Sequence, residues 1–556
     1  MILPVVARTA LVGYRAVVVA IVAVGFLSFA LWVHHMFTAG LGPWTLALVS
    51  AASLAVAIPS GIQVFGWIAT LARGHLQWTT SALFLLGFLA IFVIGGLTGV
   101  MVAVLPFDVQ VHDTYFVVAH LHYVLIGGMV FPVIAALYHW LPLVNGHAMS
   151  ERLGRWAFGL MFGGFNLAFF PMHLAGIQGM PRRVYTYPPD VGWNLWNLLS
   201  SIGAAVLALG IATMLVDLVR TLVRKRRQHG NPWNAGTLEW LPNEEFGTRS
   251  IPTVGERDPL WSRSGLAAEV QAGAHWLPGT VSGGRETLVT TRLDARLDHL
   301  AVLPADSLLP LAAAVGTAGF FLLLTVKLTL PAFGFGIAGI AATLMWLWQT
   351  DPRPFAASAR IGDAVSIRVG AHGAARPAWW AMLIFIVVDA TTLASILFAH
   401  VHVAMAGDVC PPAGASLPAT NGVAPLLWIL SSAAILAARF LFDRTPGTRL
   451  WLQLALVAAA ALAITGFTIE FQGFIANGLQ PRANAWSATV AALLGYAGLH
   501  VGILTLCAVY LVARSATARL TVDRHASFDV IALLWHATVV LMLASALVVH
   551  LLPVVL

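Results

Sequence analysis

The chain has 556 residues, of which 59% are hydrophobic and only 10% charged. Soluble domains carry about 25% charged residues, so the composition excludes a string of ordinary soluble domains, a disordered protein and a secreted disulfide scaffold. The formal net charge of +7 does not signal nucleic acid, because the basic residues cluster in short loops between apolar segments, as the positive-inside pattern of a membrane protein requires.

In chain order, the apolar segments predict an all-α polytopic membrane protein with about 13 spans, each long enough for a hydrocarbon core of roughly 30 Å. Six spans form a first group, at about 13–37, 42–71, 79–105, 114–141, 152–177 and 193–222. The first runs into His34-His35 and is too long for a cleavable signal. A polar linker, 223–305, follows; it opens on Arg224-Lys225-Arg226-Arg227 and contains Glu244-Glu245. Seven further spans are expected at about 307–327, 330–348, 375–405, 421–440, 449–472, 486–513 and 528–553. The composition break divides the chain into a domain over 1–222, the linker 223–305 and a second domain over 306–556. Cys410 and Cys507 lie far apart and are read as structural.

Loop charges orient the chain. In the second block, Arg353, Arg360 and Arg368 share one loop, Arg444 and Arg449 a second, and Arg514, Arg519 and Arg524 a third. The intervening loops hold only Asp408 and Arg482. Every second loop is therefore cytoplasmic, which puts the N-terminus in the cytoplasm and Leu556 outside.

Ionisable or metal-binding residues within spans are costly and point to function. His34 and His35 end the first span, in WVHHMFTAG, and His120 and His122 lie in the fourth, in VHDTYFVVAHLHYVLIGG. Residues two apart on an α-helix diverge by about 200°, so His120 and His122 cannot share one metal and can each hold a separate cofactor. Adjacent His34 and His35 diverge by about 100° and, near a helix end, can reach one ion. The layout implies two or three iron or copper centres; the bland alternative for each histidine is a hydrogen bond to a neighbouring helix. His75, His139 and His147 lie toward helix ends or loops.

The segments WVHHMFTAG, AIPSGIQVFGWIATL, HDTYFVVAHLHYVL and GMPRRVYTYP resemble, in order and spacing, subunit I of the haem–copper cytochrome c oxidases, over residues 1 to about 260. AWWAMLIFIVVDATTLASILFAH and GYAGLHVGILTL, with His500, resemble subunit III. The whole is similar to a fused subunit I+III polypeptide. That resemblance implies two a-type haems, an active-site copper and a magnesium ion. It also implies a copper-bearing subunit II, cytochrome c and membrane lipid as partners, no nucleic acid, and a bacterial inner (plasma) membrane as the location.

Residue by residue, the resemblance makes His34 and His35 copper ligands, His120 the axial ligand of the high-spin haem, and His122 an axial ligand of the low-spin haem. His112 and Asp113 would serve the magnesium, with Asp108 in the same polar region; hard oxygen ligands beside a histidine suit such a cation. Arg182 and Arg183 would pair with haem propionates, against an alternative of outer-interface snorkelling. The reaction implied is reduction of dioxygen to water by electrons from cytochrome c, coupled to proton translocation.

Two departures stand out. The opening MILPVVARTALVGYR resembles the stretch after the family's sixth helix, so the N-terminal half of subunit I, with the remaining haem and copper ligands, is expected elsewhere. Truncation is favoured over a split gene, and the chain alone is expected to be inactive. Gln63 stands where the family's common form has a lysine, and Ser60 where it has a threonine. Ser60 and Gln63 share a helix face and with Thr98 would line a proton route, or else make a polar helix–helix contact. Asp389 resembles the subunit III membrane acid, or hydrogen-bonds Thr391 or a neighbouring helix. The rival readings are a non-catalytic membrane scaffold, a quinol-using oxidase, and a transporter. The last is opposed by the six-plus-seven split with dissimilar motifs.

Overall fold

A computed structural model describes residues 1–28, 31–227, 229–241, 250, 252–276, 286–291, 294, 296–304, 306–350, 358–361, 365–370, 377–407, 410–412, 417–418, 422–444, 449–521 and 525–555. Glu244, Glu245, Arg353, Asp408 and Arg524 lie outside these, as does the side chain of Arg444. The chain divides into two compact units, Met1–Trp276 and Leu277–Leu556, and the division falls within the stretch read as a linker.

The protein is an all-α polytopic membrane protein. Among the described residues, twelve helices are long and apolar enough to cross a membrane. In the first unit, α1 (Tyr14–Ser28) precedes a 3₁₀ stretch, Trp32–Met36. Then come α2 (Pro43–Ala55), α3 (Ala57–Arg73), α4 (Thr80–Ala103) and α5 (Tyr115–His122). A π-helical stretch, Tyr123–Val130, joins α5 to α6 (Phe131–Trp140), followed by α7 (Glu151–Ile177) and α8 (Asn194–Leu222). The second unit holds α9 (Leu309–Thr325), α10 (Thr329–Thr350), α11 (Pro377–Ala406), α12 (Val423–Arg444), α13 (Arg449–Ala476), α14 (Ala485–Ala516) and α15 (Ala526–Val555).

The thirteenth expected span is shorter than the reading of 307–327. Helix α9 has 17 residues, about 26 Å at 1.5 Å per residue, at the bottom of the spanning range. Lys327 ends it in the left-handed conformation, with the N–H of Leu328 on the carbonyl of Leu323. This turn starts α10 at once and takes residues from both helices.

Helix starts follow local chemistry. Thr79, Thr114, Ser150 and Asn484 each accept a backbone N–H from the first turn of the helix they open, satisfying donors that no intrahelical bond can reach. Glu151 then reaches across and accepts the N–H and hydroxyl of Thr80, at 2.7 and 2.8 Å. That bond ties the start of α7 to the start of α4. The core of the first unit is aromatic, built on Phe84, Tyr123, Phe131, Tyr138 and Phe165. In the second unit, Trp428, Leu456, Leu504, Phe528 and Trp535 fill the space among α12 to α15.

Several of the described linker residues are packed. Ala235 and Trp240 are buried with Val5, Leu266 and Val270 are fully buried, and Trp233 stacks on His139 and donates to its carbonyl at 2.7 Å. In the second unit, β1 (Glu286–Thr290), β2 (Leu297–Val302), β3 (Ser358–Ile361) and β4 (Val365–Val369) form one sheet, ordered β1-β2-β4-β3. The β2–β4 pairing is parallel and the other two are antiparallel.

Helices α7 and α8 meet along a seam of small residues. A Cβ on Gly203 would lie 2.2 Å from the Ala168 nitrogen, and one on Gly164 would lie 2.4 Å from the Leu207 nitrogen. Such close backbone approach is how membrane helices pair without a hydrophobic driving force. Gly203→Leu should lower the thermal midpoint of the detergent-purified protein, at a cost of roughly 1–3 kcal/mol or more for overpacking. Gly159→Ala, at a position with nothing within 4 Å, should leave it unchanged. Equal melting of the two variants would show that the seam is not under this constraint.

Candidate functional site

Three histidines share one hydrogen-bonding logic. His122 Nδ1 lies 2.7 Å from the Val118 carbonyl oxygen. A carbonyl only accepts, so Nδ1 carries the proton and Nε2 is left with a bare lone pair. His120 Nδ1 lies 3.1 Å from the Gly95 carbonyl oxygen, with the same result. His34 Nδ1 lies 3.1 Å from Ser53 Oγ. That hydroxyl donates to the Val49 carbonyl at 2.7 Å, so it accepts from His34 and leaves that Nε2 bare as well. Donation from the far ring nitrogen to a carbonyl or hydroxyl is the usual support of a metal-ligating histidine.

The structure brings His34 and His35 together. Their Nε2 atoms lie 3.0 Å apart, with His35 donating to the bare His34 nitrogen, and their ring centroids are 4.2 Å apart. Two nitrogens at that separation are within reach of one metal ion at roughly 2.0–2.1 Å from each. The pair sits on the Trp32–Met36 turn. His34 and His120 are electrostatic neighbours, as are His35, Asp108 and His112. Among the described residues, no group of three or more His, Cys, Asp and Glu side chains is gathered as a metal site.

His120 and His122 point to different helices. His120 faces α4, through Gly95 and Thr98. His122 stacks on Phe169 of α7, with centroids 4.1 Å apart and planes 16° apart. The π-helical stretch begins one residue later, at Tyr123; such segments are rare and are frequent at functional sites.

The polar group before α5 is one network. His112 Nδ1 donates to Asp108 Oδ2 at 2.9 Å, and its Nε2 lies 3.8 Å from Asp113 Oδ1. Burial pushes the Asp108 carboxyl above its ordinary range, and the hydrogen bond from His112 opposes that. Asp113 is ion-paired with Arg182, and the Arg182 N–H donates to the Asp113 carbonyl at 2.8 Å. Thr114 also bridges to Pro181, so the PRR loop is laced onto the start of α5. Arg182 Nε is buried without a hydrogen-bond partner, which fits a missing acceptor such as a carboxylate. Arg183 is exposed, with φ +67°.

The expected polar line is divided. The Gln63 amide turns back to the Pro59 carbonyl at 3.5 Å, and Ser60 is half-buried nearby on α3. Thr98 instead contacts His120 at 3.1 Å. In the second unit, Asp389 is held by α14, where His500 Nε2 lies 3.1 Å from both of its oxygens and Tyr496 donates at 2.7 Å. Thr391 bonds the Val387 carbonyl, so the neighbouring-helix partner is the one observed. The sequence reading passed over His173, which is buried on α7 against Phe116 and Tyr123 with its Nε2 unpartnered. It also passed over Ser53. A polar residue one helix away from a histidine leaves no signal in spacing.

Residues 1–206 match the family described as cytochrome c and quinol oxidase polypeptide I. Over 264 residues, 47% of this chain, it is 46% identical to cytochrome c oxidase subunit 1 of Bacillus subtilis, covering 42% of that protein. Cytochrome c oxidase subunit 1 of Synechocystis is 46% identical over 263 residues, 47% of this chain and 46% of that one. Quinol oxidase subunit 1 of Bacillus subtilis is 42% identical over 258 residues, 45% of this chain and 40% of that one. The chain thus spans under half the length of these relatives.

Proposed function

We propose that the chain, whose residues 1–206 match the family described as cytochrome c and quinol oxidase polypeptide I, is part of a terminal respiratory oxidase. In that reading it reduces dioxygen to water with electrons from cytochrome c, coupled to proton translocation across the bacterial plasma membrane. The observation that carries the reading is the convergence of the His34 and His35 Nε2 atoms at 3.0 Å on the strip of the molecule that also holds His120.

Haem and copper, when bound, supply the electrons and the binding site for dioxygen. His34 and His35 would hold the copper, His120 the iron of the high-spin haem and His122 that of the low-spin haem, both haems a-type. Each histidine of the forced tautomer is ready to bind without losing a proton. Arg182, with its unpartnered Nε, and Arg183 would bind propionates. His112 and Asp113 would bind magnesium, which competes with Arg182 for the Asp113 carboxylate. The second unit, 306–556 in this reading, is a subunit III-like partner joined through 223–305, and subunit II would bring the electrons in. Loop charges support a cytoplasmic N-terminus and an external C-terminus. A quinol donor is the second reading, favoured by the quinol oxidase relative.

The test is the reduced-minus-oxidised spectrum of the purified complex, together with steady-state oxygen consumption on reduced cytochrome c and on quinol. Two haem signals with cytochrome c turnover are expected. Absence of haem would remove the reading, and turnover on quinol alone would replace the donor. Gln63 extends the proposal to protons. Glutamine cannot titrate, so any route past it needs ordered water, and water needs polar partners. Gln63→Leu should slow stopped-flow reduction of the high-spin haem. Equal rates in variant and parent would mean that protons enter elsewhere.

A further inference from the structure

His120 rests on a seat built from one stripe of α4. Gly95, Thr98 and Gly99 stand at i, i+3 and i+4, the positions a helix presents together to a neighbour. Each meets the imidazole differently. The Gly95 carbonyl oxygen lies 3.1 Å from Nδ1, and Thr98 Oγ1 lies 3.1 Å from the same nitrogen. At Gly99, a Cβ would stand 2.9 Å from His120 Cε1 and 3.7 Å from Nε2. The ring therefore lies against bare backbone, with its proton-bearing side turned to two oxygens.

The direction of the Thr98 bond follows by elimination. Its hydroxyl has one proton, and two carbonyls are within reach, Gly95 at 3.0 Å and Ile94 at 3.2 Å. Both carbonyls only accept, so the hydroxyl proton goes to one of them and its lone pair faces Nδ1. The His120 Nδ1–H is then shared between two acceptors. Among the described residues, no hydrogen bond joins Thr98 to Ser60 or Gln63, so the polar line read from the sequence does not explain this hydroxyl.

We propose that Thr98 is a positioning residue for His120: its hydroxyl, together with the Gly95 carbonyl, locks the ring and makes Nε2 a stronger donor to iron. This rests on the reading of His120 as a haem ligand and adds the residue that sets the strength of that bond. Two acceptors draw on the N–H and leave more electron density on the far nitrogen, and such outer partners tune both ligand basicity and redox potential. A stronger donor favours the ferric state.

The experiment uses the complete oxidase with Thr98→Val, which keeps the branched shape and loses the hydroxyl, and with Thr98→Ser, which keeps the hydroxyl. The readouts are the iron–histidine stretching band of the reduced high-spin haem in resonance Raman spectra and the midpoint potential of that haem. Val should move the band to lower frequency and raise the potential at unchanged haem content, while Ser should stay with the parent. If Val fails to assemble, Thr98→Ala against Thr98→Ser gives the same comparison. A band and potential unchanged in Val, or in Ala where Val is lost, would overturn the proposal. Failure of the underlying reading looks different: the parent itself would lack an iron–histidine band, or His120→Ala would retain it.

Discussion

In the proposed oxidase, His120→Ala is expected to abolish carbon monoxide binding while a low-spin haem spectrum persists, and His122→Ala is expected to do the reverse. Two residues apart on an α-helix means about 200° around its axis, and the structure bears this out in their neighbours. His120 lies on the Gly95–Thr98 face of α4, whereas His122 lies flat on Phe169 of α7. A cofactor on one side is out of reach of the other ring. Loss of the proposed axial ligand would remove its iron–nitrogen bond. Optical spectra with and without carbon monoxide separate the two lesions, and identical spectra from both variants would refute the two-cofactor arrangement.

Asp389→Ala should destabilise the second unit. The carboxylate sits between α11 and α14 with its side chain 12% exposed, and His500 beside it is 5% exposed. It accepts from Tyr496 and His500. Alanine strands both donors in an apolar setting, at roughly 1–3 kcal/mol for each unsatisfied group. Membrane hydrogen bonds average nearer 0.6 kcal/mol because other partners can be found. A total of about 2 kcal/mol is the reasonable expectation from these two principles. Asp389→Asn keeps an acceptor for Tyr496 and should recover most of the loss. Thermal unfolding of the purified complex, read with limited proteolysis of the second unit, is the measurement. Equal midpoints for Ala and Asn would mean that the carboxylate is dispensable to packing.

Much of this architecture was readable because the bilayer imposes it. Apolar length fixes spans, and a histidine inside a span is costly enough to be noticed, so His34, His35, His120 and His122 stood out from sequence alone. What stayed hidden depends on partners far apart in the chain. Strands β1 and β2 lie in a polar stretch with weak alternation, and β2 pairs with β4 about seventy residues later, through His299 and Arg368. Long-range parallel pairing leaves no local pattern. The 17-residue α9 looked longer because hydropathy does not register the left-handed turn at Lys327. The contact of Thr98 with His120 stayed hidden for a similar reason: polarity on a helix face is visible in sequence, but its partner is not. Asp389 shows the converse, since an acid in a span announced itself while Tyr496 and His500 supplied the explanation.

The π-helical stretch Tyr123–Val130 has a consequence for how this protein tolerates change in length. The Phe131 N–H reaches the Ile126 carbonyl, five residues back, so each such turn stores an extra residue without lengthening the path proportionately. It works as a slack coupling between two shafts. The azimuth of His120 and His122 upstream is set against α4 and α7, while the azimuth of Phe131, Ile134 and Tyr138 downstream is set by their own core. An ordinary α-helix would tie these two angles together at about 100° per residue, so that any insertion or deletion would rotate one set out of place. Here the odd residue is absorbed between them. Of all positions in the fourth span, this is where evolution or an engineer can add or remove one residue and leave both the histidines and the core facing where they did.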